Sequence, residues 1–232
     1  MNQITFQDVY QTTTARGEFK LGQRCSTPDG REWQFARAQS TLATSLVAVP
    51  DAVASSDLYS SSTDSQGRIV YLTRAANSLT VGAYEDGVGV VDDGTGVGQV
   101  FKIRTNDATT FTLYPENALG TALAVASSDL TYISMSYVDP AAVTDKVQMA
   151  QGIAQASFAA ADYGWLLTNG VGRVLAGEAL VVGKGYVTGD DTVGQVLKAT
   201  TAKGPFDEQN LGYAIVANAA ADQGTLVMVN IR

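Results

Sequence analysis

The 232-residue chain contains no histidine. That removes the usual general base near neutral pH and the commonest transition-metal ligand. It also leaves nothing to complete a serine triad or to activate a cysteine. There is one cysteine, Cys25, so no intrachain disulfide can form. A fold that stands without disulfides fits synthesis in a reducing cytoplasm. Cys25 lies just before a turn and reads as a small buried apolar residue. Charge is also scarce, at 16% of residues, and 23 acidic against 15 basic side chains leave a net charge of −8. An acidic surface repels phosphate backbones, so nucleic acid is not an expected partner. No apolar run approaches the ~20 residues needed to cross a bilayer. Met1 to Asp8 lacks the basic start and apolar core of a secretion signal. The chain is therefore expected to be soluble, with no membrane partner.

A hydrophobic content of 45% permits a real core. The most informative feature is a segment that occurs twice. Val97-Gly98-Gln99-Val100-Phe101-Lys102-Ile103 returns as Val193-Gly194-Gln195-Val196-Leu197-Lys198-Ala199. Each copy follows an acidic stretch, Asp92-Asp93-Gly94-Thr95-Gly96 or Gly189-Asp190-Asp191-Thr192. Downstream, Leu119-Gly120-Thr121-Ala122-Leu123 is matched by Leu211-Gly212-Tyr213-Ala214-Ile215. The reading is a mainly β chain with two tandem related small β modules, sandwich or barrel-like.

Three regions are expected: an arm and hairpin over 1–50, a first β module over 51–138, and a linker helix with a second β module over 139–232. Residues 1–18 are polar and without period, so they read as an extended arm able to add a strand to a neighbour. Phe19 to Ala38 reads as a hairpin around Pro28-Asp29-Gly30, because proline presets φ and glycine accepts positive φ. Ser55-Ser56-Asp57 and residues 60–65 read as loop. Strands are expected over 68–73, 88–91, 99–104, 109–114, 122–126 and 131–138. Asp139 as N-cap with Pro140 following predicts a short helix over 140–150. Strands then recur over 153–158, 163–168, 172–175, 179–182, 195–199, 212–216 and 224–231, with Asn169-Gly170 as a hairpin turn.

Candidate chemistry is thin. Asp92-Asp93 and Asp190-Asp191 are paired carboxylates that could attract calcium. A calcium loop, however, wants several oxygen ligands at regular spacing, and adjacent strand residues point to opposite faces. Acidic turn residues bonded to backbone amides are the better reading. Gly87-Val88-Gly89, Gly94 to Gly98 and Gly183-Lys184-Gly185 lack the ending and context of a phosphate loop. Nothing marks the convergent carboxylates of a glycosidase. Arg16, Lys20, Arg24, Arg31 and Arg37 read as a solvated hairpin face rather than as a contact strip for an acidic partner. The ten tyrosines and two tryptophans read as core or interface before sugar platform. No catalytic, cofactor-binding or metal residue is assigned, no cofactor is needed, and the chain is not expected to be an enzyme.

Leu21-Gly22 with Pro28-Asp29-Gly30-Arg31-Glu32-Trp33 resembles the opening hairpin of tailed-bacteriophage capsid decoration (cement) proteins. Gly152 to Phe158, Ala161 to Leu166 and Gly170 resemble a later stretch of the same family. Val193-Gly194-Gln195, Leu211 to Ala214 and Val227-Met228-Val229 resemble its end. The likeness covers about the first 40 and last 80 residues; the segment from about 50 to 148 departs from it. The resemblance implies a β-rich, β-tulip type structural virion protein, made in the host cytoplasm. It would be a homotrimer on the outer capsid surface, where it bridges adjacent major capsid protein subunits and stabilises the shell. The alternative is a receptor-binding or fibre-like β protein that recognises a host surface glycan.

Overall fold

The computed structural model describes residues 2–55, 58–75, 78–124, 128–140, 150–188, 194–199 and 209–231. In chain order the elements are β1 (Asn2–Gln3), α1 (Phe6–Val9), β2 (Arg24–Ser26), β3 (Glu32–Ala38), β4 (Val47–Ser55), β5 (Tyr59–Thr63), β6 (Ile69–Arg74), β7 (Val88–Asp93) and β8 (Val100–Asn106). They continue with β9 (Thr110–Leu113), a 3-10 turn (Pro115–Asn117), β10 (Asp129–Pro140), β11 (Gly152–Ala154), β12 (Tyr163–Ala176), β13 (Gly185–Thr188), β14 (Val196–Lys198), β15 (Gly212–Ala214) and β16 (Gln223–Asn230). The protein is mainly β. It divides into two compact units, one formed by Met1–Pro50 with Val138–Arg232 and the other by Asp51–Tyr137.

The first unit contains a closed five-strand barrel. The strand order β14-β13-β15-β16-β12 returns to its start through a parallel pairing of Ala176 with Val196. Closure leaves no open edge in this ring. The hairpin forms as its sequence dictates: Gly30 takes φ +84°, and the Thr27 and Arg31 backbones close the turn. Trp33 and Phe35 point into the larger core with Trp165, Leu167, Val227 and Val229. The opposite side of β3 is covered too, because Ala36 and Ala38 join a second cluster with Leu42, Phe158 and Leu166. Gln34 is consequently buried, where alternation predicts an exposed position. Cys25 is free and buried, and burial pushes its thiol up.

The N-terminal segment is folded rather than extended. Thr5 and Asp8 form a reciprocal capping box that starts α1. Ile4 and Val9 are buried in the larger core, β1 pairs in parallel with β2, and Thr13 bridges to Tyr163. Two apolar anchors in a polar stretch suffice to hold it, and they show no period by which to be recognised.

The Asn169-Gly170 hairpin does not form. β12 runs unbroken for 14 residues. Its first half pairs with β3 and its second half with β16, with a register shift between Leu167 and Asn169. Two long ladders outweigh one local turn preference, and Gly170 absorbs the bend at φ +111°. Residues 179–182 are likewise not a strand; β13 starts later, at Gly185.

In the second unit the order β10-β7-β8-β9-β6-β5 forms a sheet that curls back on itself. The Tyr59 amide in β5 donates to the Ser128 carbonyl, one residue before β10, at 3.1 Å. Its core is a ring cluster of Tyr59, Tyr84, Phe111 and Tyr132, with centroids 4.8–6.5 Å apart. Such edge-to-face pairs add about 0.5–1.5 kcal/mol each beyond their buried area. The serine-rich stretch 60–63 is strand, not loop, since its backbone pairs with β6 while Tyr59 anchors it. The turn is confined to Asp64–Gly67, where Asp64 Oδ1 accepts from the Gln66 and Arg68 amides. Residues 122–124 are not a strand. β10 continues through Pro140, so Asp139 and Pro140 do not open a helix there, and the remainder of that expected helix lies outside the described residues.

Candidate functional site

The repeated segment has the same local role in both copies. In the first, Val100 and Lys102 return antiparallel against Val90 and Val88; in the second, Val196 and Lys198 return against Thr188 and Tyr186. Both glycines before the glutamine take positive φ, +83° at Gly98 and +73° at Gly194. The glutamines then diverge. Gln99 Oε1 accepts from the Gly120 and Thr121 amides at 2.8 and 2.9 Å, and its Nε2 donates to the Gly96 and Thr121 carbonyls. Gln195 is buried and donates to Asp222 Oδ1 at 2.7 Å. These are struts that tie a turn to a distant loop.

Asp92 and Asp93 end strand β7, and Asp93 Oδ1 accepts the Gly94 amide at 2.7 Å, the turn role expected of it. Asp190 and Asp191 lie outside the described residues. Among the described residues no three His, Cys, Asp or Glu side chains gather to hold a metal ion.

The basic residues near the N-terminus do not form one strip. Arg31 is locked: Nε donates to Asp29 Oδ2 at 2.6 Å, one terminal nitrogen donates to the Tyr10 hydroxyl at 2.8 Å, and Cζ sits 5.3 Å from the Trp33 ring centre. It also lies over Phe6 and Tyr10, which fastens α1 to the hairpin. Burial opposes ionisation of Asp29, but bonds from Thr27 and Arg31 outweigh it and hold that carboxyl low. Arg37 stacks on Tyr163 instead. Trp33, Trp165, Tyr59, Tyr132 and Tyr186 are buried and offer no sugar platform.

What the sequence reading missed is the outside of the barrel. Val171, Leu226 and Tyr213 are exposed on β12, β16 and β15, and Val171 and Tyr213 both stand opposite Met228. A groove of about 540 Å³ lies on one side of Met228, lined in part by Tyr10, Arg31, Val171, Arg173 and Leu226. A second, of about 610 Å³, lies on the other and is mostly polar, with Asn169, Asn210, Tyr213 and Asn230. The signal was available: Leu226 to Val229 is apolar at consecutive positions, whereas a strand with one solvated face alternates.

In the second unit Tyr114 donates a hydrogen bond to the Asp86 carboxylate. That bond, followed by burial, pushes the phenol up to about 12. The expected consequence has a definite sign. Below the ordinary phenol value of 10.0 the bond's contribution to stability is fully present. As pH rises from there toward 12 it is lost, because the unfolded phenol ionises first. Asp86→Asn should return the Tyr114 transition toward the ordinary value. Ultraviolet titration of wild type minus Tyr114→Phe, repeated in the Asn background, reads it directly; an unmoved transition would refute the role of Asp86.

No known family pattern matches the chain, and no curated protein matches it in sequence. Among solved structures, the head fiber gp8.5 N base of bacteriophage phi29 is distantly similar, with a TM-score of 0.32 and 13% identity over 85% of this chain and 92% of that one.

Proposed function

We propose that the chain is a structural virion protein without catalytic activity. It binds the outer surface of a phage capsid, associates with copies of itself, and bridges adjacent major capsid protein subunits. The observation that supports this reading is where the decoration-protein-like residues fall. Leu21, Trp33, Ile153, Trp165, Leu211 and Val227 are far apart in sequence, yet they share one core in the first unit. The segment that departs from the family pattern folds, over 51–137, as its own compact unit. A decoration body with an inserted module accounts for both facts.

The mechanism is mechanical. Several weak contacts per copy act together, so displacement requires all of them to break at once. Tyr186, Trp33 and Trp165 are spent on the core, which leaves shallow outer surfaces to make those contacts.

The test is binding of the full chain to bare expanded heads of tailed phages, with the mass of the free protein measured alongside. A mass three times the 24.3 kDa chain and saturable binding to a fixed number of head sites is the expected result. A protein that ignores heads and adheres to host cells or glycans would replace this reading with a receptor-binding one.

A further inference from the structure

We infer that the outer face of β12, β15 and β16 is the surface on which a second copy of this chain docks. The inference deepens the self-association in the reading above and rests on it. Val171 is 41% exposed, Tyr213 47% and Leu226 46%. The strand register makes them neighbours: Val171 and Tyr213 stand opposite Met228, and Arg173 stands opposite Leu226. The Ile215 amide donates to the Leu226 carbonyl, which extends the apolar row beyond β15. Contiguous apolar surface of this kind marks a docking surface, unlike single exposed apolar residues.

Charge identifies the occupant. The chain carries 23 acidic residues, but none lies in β12, β15 or β16. The one charged residue of the three strands is Arg173. Among the described residues it has no carboxylate partner; its guanidinium crosses Gly224 and donates to Ser45 Oγ at 3.3 Å. Copies with a net charge of −8 repel one another over most of their surface. They meet at least cost where the strands contribute no carboxylate and a single cation, and where the Asp29 carboxylate lining the adjoining groove is already paired with Arg31 at 2.6 Å. An acidic surface of the next copy then complements Arg173, in a head-to-tail contact of the kind that closes rings. Because the barrel has no open edge, the contact is made by side chains and not by added strands.

The test is sedimentation equilibrium of the full chain and of Leu226→Asp, Val171→Asp and Val100→Asp. The first two place a carboxylate on the face. The last makes the same kind of change at a position 67% exposed in the other unit. All three positions face water, so circular dichroism melts should stay close to wild type. Assembly should weaken by roughly 100-fold in the two face variants, since an unpaired charge would be buried, and by under about threefold in the control. Face variants that assemble like wild type would overturn the inference and leave the virion reading standing. A wild type that stays monomeric at every concentration would overturn both the inference and the self-association it rests on. If that monomer binds heads and Leu226→Asp abolishes the binding, the face docks capsid protein, and the inference is again overturned.

Discussion

Trp33→Ala should destabilise the first unit by about 3–5 kcal/mol, the usual cost of emptying an aromatic core site. Trp33 is fully buried, and its Nε1–H donates to Thr27 Oγ1 at 3.1 Å. Thr27 in turn donates its hydroxyl hydrogen bond to Asp29, which grips Arg31, which lies over Phe6 and Tyr10. The side chain is thus both filler and support for the bonds that fasten α1. Trp33→Phe separates the two parts. It keeps most of the volume and loses only the indole donor, so about 1 kcal/mol of hydrogen bonding should go. Urea unfolding of both variants decides the matter. An alanine variant within about 1 kcal/mol of wild type would contradict the packing described, since buried large-to-small changes cost more.

Gly212→Ala is expected to be nearly as damaging, for a different reason. Its φ is +142°, and an added Cβ would lie 1.8 Å from the Met228 carbonyl oxygen. That oxygen belongs to the backbone and cannot swing aside. β15 must therefore separate from β16, and the barrel loses one of its five seams. We expect a loss of at least about 3 kcal/mol, beyond backbone strain alone. Gly98→Ala is the control. It also has positive φ, +83°, but nothing stands within 4 Å of its Cβ position. Strain alone should cost about 1–2 kcal/mol there. If thermal melts rank the two variants equally, the close approach at Gly212 is not what constrains it.

The same comparison shows how far the internal repeat can be read. Gly212 and Gly120 occupy matching positions, yet a Cβ on Gly120 would meet only Gln99 Oε1 at 3.7 Å. Leu211 to Ala214 leads into a strand; Leu119 to Leu123 does not. The shared letters specify a local hairpin and its positive-φ glycine, both of which depend on adjacent residues. What surrounds each hairpin depends on partners outside the motif, Gln99 beside Gly120 and Met228 beside Gly212, and the shared letters do not encode these.

The mainly β character and most strands were legible because Gly, Asp and Pro punctuate runs rich in Val, Ile, Thr and Tyr. The hairpin at Pro28-Asp29-Gly30 was legible to the residue. Errors arose where tertiary pairing overrode a local signal. Asn169-Gly170 carries a strong turn dipeptide, but β3 and β16 both claim the strand that passes through it. Residues 60–63 look like loop by composition, but a serine side chain does not prevent a backbone from pairing. The outer barrel face escaped notice for a simpler reason. Leu226 and Met228 look like core one by one, and the register shows that Val227 and Val229 already fill the inside.

The closed ring also fixes an order of events during synthesis. β16 contributes to the seams with both β12 and β15, so the ring cannot close until residue 230 has been made. The Trp33 hairpin must likewise wait for its long partners β10 and β12, both made after the whole of the segment over 51–128. The module over 51–137, by contrast, draws all its strands from one continuous stretch. On a ribosome it can finish while the two halves that flank it are still apart. The nascent first half exposes Trp33 and Phe35 throughout that interval, which makes it the stage most open to aggregation.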